Sequence, residues 1–274
     1  MQPLARHLWC ALALALLATA SPAAAIVLDW DSATWTNGSL SNSFDVDPYR
    51  AGNDLTVTIS GSTAQLQPGI VAPNPPSPTI TTGLEGGLSP GQKSLELAVN
   101  FTSQSQFITV TVDFSALYAQ GVENVSFTIF DVDFDDVNGS SPSHYQDQLR
   151  SISALSIDGT TAVAPTITVS PNNSRTGTGL AQVVTGNVST VDTGAGSGAG
   201  NVTISFGTSW IKSFTFTYGS GTGTTNDPTY QHIGIHDISF TPVPEINPAW
   251  SAVLSCAAAA GLVLRHRSIC RRKK

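Results

Sequence analysis

Phe107-Ile108-Thr109-Val110-Thr111-Val112-Asp113-Phe114 is the stretch that decides the fold class. Apolar Ile108, Val110, Val112 and Phe114 alternate with polar Thr109, Thr111 and Asp113. Successive side chains of a strand point to opposite faces, so this segment has one face for a core and one for water. The period recurs on both sides of it. Leu55, Val57 and Ile59 alternate with Thr56 and Thr58; Leu95, Leu97, Val99 and Phe101 form one row, and Val125, Phe127 and Ile129 another. Further strand-like segments cover 152–157, 162–169, 201–206, 212–218 and 233–240. About ten short strands between Gly, Pro, Asn and Ser clusters predict an all-β fold, a two-sheet β-sandwich of jelly-roll type. One helical turn is expected near Ser115 to Gln120. The alternation slips once: Ile233 and Ile235 share one parity, Ile238 and Phe240 the other. An extra residue at His236 or Asp237 would be a β-bulge, which re-aims side chains.

Three stretches read as loops. Residues 67–90 hold six prolines, 138–144 form a Ser/Pro loop, and 192–200 are nearly all Gly, Ala, Ser and Thr. Such runs cannot hold a regular ladder.

The ends of the chain differ in kind from its middle. Met1 to Ala25 has a basic residue at Arg6, an apolar run from Leu8 to Ala20 and the ending Ala23-Ala24-Ala25. That is the layout of a secretory signal peptide with cleavage after Ala25. Residues 26–242 then form one extracytoplasmic β domain without cysteine, since Cys10, Cys256 and Cys270 lie outside it. Its stability must come from packing or bound ions rather than disulfides. All 19 acidic residues lie between Asp29 and Glu245, against five basic ones, a formal charge of −14. With no basic patch to meet phosphates, nucleic acid is not an expected partner. Acidity suits solubility and hard cations.

Residues 243–274 carry three parts in order. Val243, Pro244 and Glu245 follow the last strand-like segment; Pro248 to Leu264 carry no charge; and Arg265, Arg267, Arg271, Arg272, Lys273 and Lys274 make a basic tail. A helix of that uncharged length rises about 25 Å, slightly less than the ~30 Å of a hydrocarbon core. The basic tail would stay cytoplasmic, which places the domain outside. In this order and position the run resembles the PEP-CTERM sorting signal, with Ile246 where that family has its second proline. The resemblance implies recognition by an exosortase, a membrane protease-transpeptidase. It also implies a protein anchored by its C-terminal transmembrane helix before sorting, and then held at the cell surface or in the extracellular matrix, as in a biofilm. An ordinary C-terminal membrane anchor is the alternative.

One patch in the domain invites chemistry. Asp131, Asp133, Asp135 and Asp136 follow Val125, Phe127 and Ile129, and Asp147 comes soon after. If the strand runs on, its core-facing row turns from apolar to carboxylate, which is costly unless a cation gathers the oxygens. Calcium takes several oxygen ligands from flexible loops, so these five aspartates, with Asp237 beside His236, are candidate ligands of a structural calcium ion. A solvated acidic loop is the competing reading. His232 and His236 on one strand stand about 13 Å apart, too far for one zinc. Trp35 and Trp210 are candidates for stacking on sugar rings. No catalytic motif stands out, and no catalytic residue is assigned. The expected function is therefore an exported, non-catalytic surface or matrix protein. A carbohydrate-binding module with structural calcium is the alternative, and a glycan-acting hydrolase the second alternative. Extracellular polysaccharide is the ligand class those alternatives imply.

Overall fold

The computed structural model describes residues 24–88, 92–135, 144–187, 196–224 and 227–244. The expected signal peptide up to residue 23, Asp136, and the C-terminal run from Glu245 through the basic tail lie outside the described residues. Sixteen strands occur among the described residues. They are β1 (Ile26–Leu28), β2 (Ser41–Phe44), β3 (Leu55–Gly61), β4 (Thr79–Thr81), β5 (Ser94–Val99), β6 (Phe107–Phe114), β7 (Val122–Phe130) and β8 (Asp147–Ser156). There follow β9 (Ala162–Val163), β10 (Thr166–Val169), β11 (Asn173–Thr176), β12 (Val183–Gly186), β13 (Val202–Ser205), β14 (Ile211–Ser220), β15 (Gln231–Ile235) and β16 (Ile238–Pro242).

The fold is all-β, with an antiparallel sheet that curls over one core, consistent with a β-sandwich. Ladders join β2, β3, β6, β14, β8, β12 and β11 in that order, with β9 on β8. A second series runs β4, β5, β15, β7, β13, β10, with β16 continuing along β7 and β1 on β16. Among the strands described, the pair Ile211 with Val122 links the two series. Their inner faces meet through aromatic rings. Phe214 of β14 stacks on Phe127 of β7 at 4.6 Å, and Phe114 of β6 meets Phe240 of β16 at 5.0 Å. The Ile108, Val110 and Val112 row is buried in this core, as its alternation requires.

Three features differ from the sequence reading. Ser115 to Gln120 form two turns and no helix: the Tyr118 N–H donates to Ser115 O at 3.0 Å, and the Gly121 N–H to Tyr118 O at 2.7 Å. Gly121, at φ +77°, takes the left-handed conformation that ends this run. Second, β1, β2, β4, β11 and β12 have only three or four residues and lacked a readable period. Third, every residue of β5 is buried, not only one face. The proline-rich loop covers its outer side: the Gln67 N–H donates to Ala98 O at 2.9 Å, and the Ser77 hydroxyl to Glu96 O at 3.1 Å.

The expected bulge is present. Ile235 faces Ile129 and Ser239 faces Ser126, so β15–β16 holds one residue more than β7 over the same span. Below it β7 holds an extra residue in turn, between the pairs Ser239–Ser126 and Thr241–Glu123. Asn124, at φ +54°, absorbs that one, as asparagine often does. β16 ends at Pro242, and Val243 is buried, its N–H donating to Gly121 O at 3.1 Å. Val243, first residue of the expected sorting motif, is thus part of the domain's edge, and Pro244 is exposed.

Candidate functional site

The described carboxylates of the acidic patch divide between different environments. Asp131 follows β7 at φ +64°, so its side chain leaves the parity it would have on a continued strand. Its Oδ2 lies 3.0 Å from His232 Nε2 on β15. His232 pairs across with Ala98, and Gly234 with Glu96. His232 and Glu96 therefore stand as diagonal neighbours on the outer face of β15 and β5. Glu96 has no exposed surface. Its Oε1 accepts from the Ile70 N–H at 3.0 Å, and its Oε2 has no hydrogen-bond partner.

Asp133 and Asp147 lie beneath. Asp147 is fully buried. Its Oδ1 accepts from the Tyr218 hydroxyl at 2.7 Å, its Oδ2 accepts from the Asp133 N–H at 3.2 Å, and its own N–H donates to Asp133 O at 2.9 Å. Asp135 is half-buried and its N–H donates to Tyr145 O at 3.2 Å. Asp237 sits at the bulge, where its Oδ1 accepts from the Trp30 N–H at 3.0 Å and its Oδ2 lies 3.7 Å from His236 Nε2. Among the described residues no group of three or more His, Cys, Asp or Glu side chains is placed to hold a metal ion. The oxygens of Asp147, Oδ2 of Asp131 and Oδ1 of Asp237 already have protein partners.

Protons are the ready alternative for such buried charge. Burial, then the Asp133 charge, pushes the Asp147 carboxyl well above its ordinary range. Burial also raises Glu96, against the Ile70 N–H and the His232 charge. For His232, burial works downward, but the hydrogen bond and charge of Asp131 outweigh it and the imidazole is raised. All three groups bind protons more tightly in the folded chain than in the unfolded one. Their contribution to stability is full below the unfolded values and is lost as pH rises through the folded ones. Asp158, held low by the Thr161 hydroxyl and amide, has the opposite sign, but it lies in an exposed turn. The melting temperature is thus expected to fall from about pH 5 to about pH 8. Asp147→Asn, which copies the protonated acid, should flatten part of that fall and melt no lower than wild type at the upper end. A melting temperature that rises with pH over this window would contradict the assignment.

A groove of about 430 Å³ opens beside this cluster. It is lined by Thr34 and Trp35, by Val71 and Pro73 of the proline-rich loop, by β4, and by Lys93 and Glu96. Trp35 is only 9% exposed. Its ring stacks on Phe44 at 6.2 Å and meets Trp30 edge-on at 6.4 Å, so little of it is left for a ligand. Trp210 is 45% exposed, its indole N–H donating to Glu123 Oε2 at 3.0 Å, and it does not line the groove. The structure therefore separates the two tryptophans that the sequence grouped together. Sequence reasoning missed Glu96 altogether, though a lone carboxylate inside the run Ser94-Leu95-Glu96-Leu97-Ala98-Val99 is a usable signal. Tyr218, whose buried hydroxyl holds Asp147, carries no such local signal.

No protein-family model and no curated protein matches the chain. Among solved structures, the chain is similar to one described as "Structural and thermodynamic dissection of specific mannan recognition by a carbohydrate-binding module, TmCBM27", at 13% identity and a TM-score of 0.31. The match covers 68% of this chain and 89% of that one.

Proposed function

We propose that the chain is an exported, surface-sorted, non-catalytic protein of the bacterial envelope or extracellular matrix. Its β domain, a jelly-roll-like sandwich, binds polysaccharide. The groove carries the binding part. Its volume falls in the usual range for small-ligand sites. Its lining mixes apolar surface at Val71 and Pro73 with the exposed Thr34 and Thr82 and the Lys93 ammonium, a mixture suited to the apolar and hydroxylated faces of a sugar. The order of signal peptide, acidic domain and tripartite C-terminal run supports the export and sorting part, with an exosortase as partner.

A glycan array on residues 24–244 tests the binding. The double variant Thr82→Val, Lys93→Ala is expected to lose at least tenfold in affinity with an unchanged melting temperature, as about 1.4 kcal/mol requires. Trp210→Ala should bind as wild type does. The reverse pattern would move the site to the Trp210 surface, and release of reducing sugar would favour the hydrolase. For sorting, the mass of the mature surface protein decides: an intact Arg271 to Lys274 would leave an ordinary anchor. For a structural calcium ion at the acidic patch, a melting temperature that rises in millimolar calcium would support it, and an unchanged one would remove it.

A further inference from the structure

Among the described residues, Glu96 both lines the groove and belongs to the buried charged cluster. It also holds the proline-rich loop directly. Its Oε1 takes the Ile70 N–H, and its Oε2 lies so close to Gly69 that a Cβ there would sit 2.5 Å away. The other ties of this loop are neutral. Gln67 and Ser77 bond to β5, as above, and the Tyr230 hydroxyl donates to Pro68 O at 2.8 Å. The same loop brings Val71, Ala72, Pro73 and Pro75 to the groove. Residues 67–78 themselves contain no titratable side chain.

We propose that Glu96 is a pH-sensitive latch on loop 67–78: carrying a proton, it keeps the loop seated against the groove, and on ionising it releases it. The physical reason is solvation. A protonated Glu96 is neutral, so its burial needs no counter-charge, and its Oε1 still accepts the Ile70 N–H. An ionised Glu96 is a buried charge with one oxygen lacking any donor, and lifting the loop is the movement that admits water to it. The groups facing it are few. His232 on β15 favours its ionised form, Asp131 after β7 opposes it, and Tyr230 and Lys93 complete the surroundings. Burial outweighs the favourable terms, so the closed loop prefers the proton, and loss of the His232 charge at higher pH acts in the same direction. The consequence for ligand binding rests on the groove being the binding site; the latch itself does not.

Amide hydrogen exchange of Gly69 and Ile70, measured without any glycan from about pH 4.5 to about pH 8.5, tests it. In wild type the opening equilibrium of Ile70, corrected for intrinsic exchange, is expected to rise by about tenfold per pH unit between the open-loop and closed-loop titrations of Glu96. Glu96→Gln, which copies the protonated form, should hold opening low and independent of pH. His232→Gln is a second variant should Glu96→Gln fail to fold; it keeps the rise and moves it. An opening equilibrium in wild type that is flat with pH, or a rise that persists in Glu96→Gln, would overturn the latch. A chain that shows the expected exchange but binds no glycan would overturn only the binding reading.

Discussion

Phe214→Ala is expected to destabilise the domain by about 3–5 kcal/mol. Phe214 is 2% exposed and lies where the two layers press together. It stacks on Phe127 at 4.6 Å with an interplanar angle of 18°, and it meets Phe206 at 5.9 Å and Phe114 at 6.3 Å. Its own strand is fixed on both sides, by β6 and by β8, and β7 opposite is held by β13 and by β15–β16. Strands locked in ladders on both sides cannot close over a cavity, so the upper part of the usual range for a large-to-small change applies. Urea unfolding should show the midpoint falling with an unchanged slope. Leu180→Ala, at a residue 48% exposed, is the control and should stay within about 0.5 kcal/mol. A loss below about 1 kcal/mol for Phe214→Ala would mean that the layers do not pack as described.

Asp54→Ala should destabilise by a similar amount, about 3–5 kcal/mol, for a polar reason. Asp54 has no exposed surface, and three donors converge on it. Its Oδ2 accepts from the Val46 N–H at 2.6 Å and the Asp47 N–H at 2.7 Å, and its Oδ1 from the Tyr118 hydroxyl at 2.7 Å. Burial, the Asp54 bond and the Asp54 and Asp47 charges all keep the Tyr118 phenol protonated. Alanine would strand the two backbone amides and leave the Tyr118 hydroxyl only the longer bond to Asp47 Oδ2 at 3.4 Å. Asp54→Asn is expected to recover only part of this: its amide oxygen can take both N–H groups while its NH₂ faces the Tyr118 hydroxyl, which can accept, but bonds to a carboxylate become bonds to a neutral amide. Asp147→Asn is expected to recover more, because burial and the Asp133 charge already favour the protonated carboxyl and the Tyr218 hydroxyl can reverse its role. Equal tolerance of asparagine at the two positions would contradict that difference. Thermal melts of the three variants together with wild type make the comparison.

The difference between these aspartates marks how far sequence reasoning reaches here. The row Ile108, Val110, Val112, Phe114 and the slip at His236–Asp237 were both legible, because a period of two and a break in it are local properties. The turn to carboxylates after Ile129 was legible as a warning. Its resolution was not. A left-handed residue at Asp131 sends that carboxylate to His232, while Asp133 and Asp147 pair below it, and nothing in the order of residues specifies either partner. Trp35 and Trp210 look alike in sequence, yet one is packed between Trp30 and Phe44 and the other is exposed.

By itself, the sequence determined that the middle of this chain is β, cysteine-free and strongly acidic, and that its ends have the layout of export and sorting signals. Each of these is a matter of composition or short-range pattern. Only the tertiary structure decided that β5 is covered on both faces, that Glu96 is buried under the proline-rich loop, and that a groove opens beside it. Those facts follow from contacts between residues far apart in the chain, such as Ile70 with Glu96 and Pro68 with Tyr230. Strand propensity is blind to such contacts, because it describes how a residue fits its own strand and not what later folds over it.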